Sequence, residues 1–299
     1  VGTGSDKWLA KHPPPKNTKT RKQVAAQLKT LADKASQVYD RYTTAQDKDA
    51  TETVPAVHKA LQEALYGAGT STKKAEEGKT VNAKNSYVAS CKTTAPGLSL
   101  YGDMLCICGL AAGTSSDECF KTGIAIDWTN DATAVLADVQ KKCPKAPAAL
   151  ALTAAHLEAA IATFGARVRH GTNAGDTQHF LGKQSAGSCT GVTGQLCFVY
   201  DTFYEGNSKA GHLAIPWIRQ LSTAAAKLRE HEAAVVDIKD ATAALKQLQA
   251  MAWTIYSIPD TDEAAAHQVT SKEKLQKTQQ ACDQHKSNKT TCESTDKWE

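Results

Sequence analysis

Cysteine is the residue type that carries most of the reactive chemistry in this chain, and its placement is uneven. Nine cysteines occur in 299 residues: none precedes residue 91, seven stand at Cys91, Cys106, Cys108, Cys119, Cys143, Cys189 and Cys197, and two at Cys282 and Cys292. Thiols at this density persist as disulfides in oxidising compartments and stay reduced in the cytosol. The pattern predicts an exported protein in which all nine are candidate disulfide cysteines. A zinc centre would have to draw on Cys106, Cys108 and Cys119 with a histidine such as His170, yet that spacing departs from the paired C-x₂₋₄-C of structural zinc sites. Cys-x-Cys is likewise not the C-x-x-C of a redox centre, so Cys106 and Cys108 are expected to bond to different partners. The odd total calls for a free thiol, an intermolecular bridge or a partner outside the chain as given.

Other fragments approach a catalytic motif and then miss a required residue. His231-Glu232-Ala233-Ala234-Val235 begins like the H-E-x-x-H helix of a zinc protease, but Val235 stands where the second ligand belongs. The fragment reads instead as a solvated histidine and a polar residue beside a helical seam. Residues 187–194 (GSCTGVTG) lack the Lys-Ser/Thr pair of a phosphate-cradling loop, and residues 171–175 lack a preceding strand. Ser185 and Ser188 lie near His179 and Asp176 in sequence, without a G-x-S-x-G elbow, and a catalytic triad is defined by geometry and not by proximity along the chain. Arg167, Arg169 and His170 suit the carbonyl end of a helix. The expectation is therefore no catalytic, cofactor-binding or metal-ligating residues and no enzymatic activity.

The formal net charge of +4 is too small and too dispersed to argue for nucleic acid. The basic stretch Lys7, Lys11, Lys16, Lys19, Arg21 and Lys22 reads as a solvated leader. No run of 18 apolar residues and no signal peptide is visible; an exported chain of this kind is expected to be a processed mature form whose anchor, if any, lies beyond residue 299. Asn288, in Asn288-Lys289-Thr290, is an N-glycosylation candidate.

The elements that must position these residues are mostly helical. Val24, Leu28, Leu31, Ala35, Val38, Tyr42 and Ala45 alternate spacings of four and three, the a/d seam of a coiled coil. Residues 21–46 would span about 39 Å as a helix. The helix continues through Val57, Leu61 and Leu65 until Gly67 and Gly69 end it, with Pro55 as a kink or break. The same alternation runs through Leu150, Ala154, Leu157, Ile161, Phe164 and Val168. It returns after Pro216 at Ile218, Leu221, Ala225, Leu228, Glu232 and Val235, and then, after a small phase slip, at Ile238, Ala241, Leu245, Leu248 and Ala252. Much of this seam is alanine, which permits close approach and buries little area per residue. Between the helices, residues 67–130 and 170–215 are rich in Gly, Ser, Thr and Asn; 195–200 (QLCFVY) read as a strand, and 171–175 and 187–194 as exposed loops.

The predicted fold class is mostly α: an elongated antiparallel helical coiled coil or bundle with a disulfide-rich, short-strand head lobe. The helical shaft is assigned to 21–66, 148–168 and 217–256, cysteine-rich loops to 91–143 and an upper lobe to 171–211. Residues 1–270 are expected to form one domain, and 271–299 a linker and the start of a second, cysteine-rich one.

Several stretches together resemble the variant surface glycoproteins of trypanosomes, mostly their N-terminal domain and of the type called class B. These are residues 101–109 (YGDMLCICG) followed by Cys119, residues 179–182 (HFLG) with Cys189, Thr190, Gly191 and Cys197, and Ile215-Pro216-Trp217 leading into the last long helix. The tail at 282–299 is similar to the start of the family's small C-terminal domain, although Asp296 stands where the family often has a cysteine before the Lys-Trp matched by Lys297 and Trp298. The resemblance implies a non-enzymatic coat protein on the parasite surface, without cofactors. It also implies covalent glycans, homo-oligomers (dimer or trimer), exposure to host antibodies, and attachment to the plasma membrane through a C-terminal glycosylphosphatidylinositol anchor. Ser185 and Ser188 become O-glycosylation candidates, and Asn288 resembles the family's N-glycan position near the domain junction. A related surface receptor for a host serum protein, such as transferrin or haptoglobin–haemoglobin, shares the same helical design and is the alternative.

Overall fold

The computed structural model describes residues 12–13, 16–70, 72–92, 96–112, 115–116, 119, 124–143, 151–173, 176–184, 189–205 and 210–257. Ser185, Ser188, Cys282, Cys292, Asn288 and the 270/271 boundary lie outside them. By internal contacts the chain divides into two compact units, Thr44–Ile238 and Val1–Thr43 with Lys239–Glu299.

The secondary structure is mostly helical. The first helix, α1 (Thr18–Lys48), starts where the Asn17 side chain accepts the Lys19 backbone N–H at 2.9 Å, satisfying one of the amides a helix start leaves free. Instead of breaking near Pro55, the helix passes through a π-helical segment, Asp49–Thr53, into α2 (Val54–Tyr66). The Val54 N–H reaches back five residues to the Asp49 carbonyl. Pro55 has no N–H for the turn before it and its ring crowds that turn; the wider π turn absorbs both effects.

The region expected to be cysteine-rich loop holds three short helices: α3 (Tyr87–Cys91), α4 (Leu100–Cys108) and α5 (Leu136–Lys142). Two have serine N-caps, with Ser86 accepting from Ala89 and Ser99 from Gly102. They are too short to display a periodicity, so capping rather than pattern marks them. A two-stranded ladder pairs β1 (Ser115–Ser116) with β2 (Ile124–Ala125). Helix α6 spans Ala154–Arg167, capped by the Thr153 hydroxyl, and so begins later than the shaft boundary at residue 148.

Three antiparallel strands follow: β3 (Arg169–Asn173), β4 (Asp176–Gly182) and β5 (Cys197–Val199), in the order β3-β4-β5. Residues 171–173, expected in an exposed loop, are thus paired backbone, Gly171 opposite Gln178. A short helix, α7 (Asp201–Tyr204), leads towards α8 (Pro216–Tyr256), 41 residues long.

Within Thr44–Ile238 the main core joins Leu105, Ile126, Trp128, Leu196, Phe198, Tyr200, Ile215 and Trp217. A second cluster joins α2, α6 and α8 through Val57, Ala60, Ala154, Leu157, Ala224, Ala225 and Leu228. Ala154 and Ala225 belong to the small-residue seam read in the sequence, and Ala60 and Ala224 join them. In the other unit Val24, Leu31 and Ala241 are buried, the His12 ring lies 5.1 Å from Trp253, and the Tyr256 hydroxyl donates to the His12 carbonyl.

Candidate functional site

A buried carboxylate stands in the Thr44–Ile238 unit, that of Asp103 on α4, with the residue 4% exposed. Its Oδ2 accepts from the Tyr200 hydroxyl at 2.6 Å and from Trp217 Nε1 at 2.7 Å, while its Oδ1 accepts the Gly97 N–H at 2.8 Å. Burial pushes the Asp103 carboxyl up to about 6 against the lowering effect of the bonds from Tyr200, Gly97 and Trp217. The Tyr200 phenol is also raised well above its usual value, first by its own burial and then by Asp103. The carboxylate is an anchor, binding the ends of α4, β5 and α8 to one point.

Among the described residues, three disulfides lie in the same unit. Cys91 bonds to Cys106, Cys108 to Cys119, and Cys189 to Cys197. Cys106 and Cys108 therefore have different partners, which removes the thiolates a zinc centre with His170 would need. Tyr87 stands between two of the bridges, its hydroxyl donating to the carbonyls of Cys106 and Cys197 at 3.2 Å each. Burial raises its phenol. Cys143 departs from the expectation that all cysteines pair: its thiol is free and the residue is exposed. It follows directly on α5, where its sulfur contacts the Val139 carbonyl at 3.9 Å.

The His231-Glu232 step is structural and not merely solvated. His231 Nδ1 lies 2.9 Å from both oxygens of Asp49, in the π-helical segment. Glu232 accepts the Ala154 N–H at 3.0 Å, at the start of α6. Arg229, one turn before, pairs with Glu158 of α6. Three side chains of α8 thus lock two other elements. Of the charges read near a helix end, Arg167 sits in the last turn of α6, while Arg169 and His170 belong to β3.

Sequence reasoning passed over Asp103, although it lies inside the 101–109 stretch quoted for its resemblance. An aspartate between Gly102 and Met104 in an otherwise apolar helix is the signal that was there to be used, because a charge is rarely placed in a core without partners. Gly102 is explained by the same packing: a Cβ there would lie 2.0 Å from the Thr80 carbonyl oxygen.

A mostly helical frame with intrachain disulfides and a buried polar anchor defines a disulfide-stabilised structural domain. The family model of the Trypanosomal VSG domain matches residues 2–247, and the chain belongs to that family. It is similar to variant surface glycoprotein ILTAT 1.23 of Trypanosoma brucei brucei, 25% identical over 302 residues covering 93% of this chain and 55% of the relative. It is also similar to variant surface glycoprotein ILTAT 1.21 of the same organism, 25% identical over 225 residues, with 73% and 46% covered. The chain spans about half the length of the curated relatives it matches. Among the described residues, no helix is long and apolar enough to cross a membrane. The family is one of surface-coat proteins and not of enzymes.

Proposed function

We propose that this chain is the N-terminal part of a coat glycoprotein that shields the trypanosome plasma membrane and evades host antibodies by antigenic variation. The observation that carries this reading is the family match across residues 2–247. The division of labour in the Thr44–Ile238 unit supports it. Buried groups hold the frame at Asp103 and the disulfides, while apolar side chains such as Val88, Val192 and Leu213 are exposed and free to change without disturbing the core. Three intrachain disulfides suit an extracellular location.

In this reading residues 1–270 form the outer domain, and 271–299 open a cysteine-rich C-terminal one that leads to a glycosylphosphatidylinositol anchor. The protein assembles as a homo-oligomer, with glycans at Asn288 and at Ser185 or Ser188. Its work is mechanical and steric, with no catalytic residue.

Antibodies raised against the folded chain should stain intact parasites expressing the parent protein over their whole surface. A phospholipase C specific for phosphatidylinositol anchors should release that stain. Sparse, localised staining together with saturable capture of transferrin or haptoglobin–haemoglobin would overturn the coat reading in favour of a receptor.

A further inference from the structure

We propose that His179, Asp201 and Glu205 form a binding site for a divalent transition-metal ion of the zinc type, clamping β4 to α7. One imidazole nitrogen of His179 and one carboxylate oxygen from each acid lie within 4.8 Å of one another. The two acids are four residues apart on one helical turn, where Glu205 N–H bonds to the Asp201 carbonyl at 2.8 Å, so their side chains share a face.

The state of His179 Nδ1 is the second observation. It is a buried atom without a hydrogen-bond partner, although Asp201 Oδ1 is 3.4 Å away. That separation is long for a hydrogen bond between an imidazole and a carboxylate. It matches the edge of a tetrahedron whose corners stand about 2.0–2.1 Å from a central zinc, which is roughly 3.4 Å. Glu205 is exposed, and one of its carboxylate oxygens already lies within 4.8 Å of the other two ligand atoms. One nitrogen and two carboxylate oxygens suit zinc, with water completing the shell.

The surroundings orient the ligands as metal sites require. The Asp201 carboxylate is held by the His179 backbone N–H at 2.5 Å. The His179 ring is stacked on Tyr204 at 4.1 Å, with 9° between planes, and His170 lies edge-on at 5.2 Å. Both imidazole and carboxylate are therefore restrained before any ion arrives. The competing arrangement is His179 facing Asp201 alone, with no ion.

Chelator-treated full chain titrated with Zn²⁺ by calorimetry should show one saturable site, and Co²⁺ in its place should give the visible absorption of a tetrahedral complex. Glu205→Gln, at an exposed position, should fold normally and weaken Zn²⁺ binding about tenfold or more; His179→Gln should abolish the Co²⁺ spectrum. His58→Gln, at an exposed histidine elsewhere, should change neither. Absence of saturable binding, or binding indifferent to both Glu205→Gln and His179→Gln, would overturn the site and leave His179 facing Asp201 alone.

Discussion

Trp217 Nε1 donates to Asp103 Oδ2 at 2.7 Å across 114 residues of chain, joining the first turn of the long helix α8 to the first turn of the short helix α4. The same oxygen takes the Tyr200 hydroxyl, so one buried carboxylate gathers the ends of three elements. Two of the sequence stretches that resemble the family, around Gly102-Asp103 and around Pro216-Trp217, are thus parts of a single interaction.

Removing this carboxylate should be costly. Asp103→Leu strands three donors, from Tyr200, Trp217 and Gly97, each of which costs about 1–3 kcal/mol when left unsatisfied in a core. Relaxation and water entry will reduce the total, so a loss on the order of 3–5 kcal/mol is expected in urea denaturation. A loss below about 1 kcal/mol would mean that the anchor does not hold the fold.

The same group confers a pH dependence of definite sign. Its pKa is raised from 3.8 to about 6 in the fold, so the native state binds its proton more tightly than the unfolded chain does. The contribution of Asp103 to stability is greatest below pH 4 and falls as pH rises through 6, by at most about 3 kcal/mol. The stability difference between wild type and Asp103→Asn should therefore shift against the wild type between pH 4 and 6. A difference that is flat over this range would contradict the raised pKa.

Accessibility separates the cysteines. Cys119 is exposed, whereas Cys91 and Cys106 are 0% and 1% exposed. Graded reduction with alkylation and peptide mapping should open Cys108–Cys119 before Cys91–Cys106. A maleimide applied to native, unreduced protein should label Cys143. Protection of Cys143 until reductant is added would show that it is bridged.

Helix α8 fastens its neighbours through adjacent residues, and these can be loosened separately. Glu232→Ala removes the acceptor for the Ala154 N–H, and loss of such a helix-start contact costs about 1 kcal/mol. Hydrogen exchange should quicken in the first turn of α6. His231→Ala should instead quicken exchange near Asp49 while leaving α6 unchanged; equal effects of both variants on both elements would argue against separate contacts.

Gly102→Ala tests how closely α4 approaches its neighbour. The added carbon would meet the Thr80 carbonyl oxygen at 2.0 Å, a backbone atom that cannot rotate away. Overpacking of this kind typically costs about 1–3 kcal/mol, readable as a lowered melting temperature. An unchanged melting temperature would show that the two segments can separate freely.

The sequence alone established the long helices, the small-residue seam, an expectation of disulfides and the family resemblance. Each depends on a local or compositional signal: Val24 and Leu31 reveal their face because a helix repeats every 3.6 residues, and cysteine density reports redox environment. The tertiary structure decided how the described cysteines pair, that Cys143 stays free, and what His231, Glu232 and Asp103 do. The polar contacts depend on where the chain returns after 78 to 182 residues, and even the disulfides, which close spans of 8 to 15 residues, depend on a choice of partner that no local period encodes. Pro55 shows the boundary between the two: its missing N–H was legible, but whether the helix would break or widen depended on the packing around it. Asp103 shows it more sharply. Its charge in an apolar helix announced that partners were needed, and only the fold could bring Tyr200 and Trp217 to the same oxygen.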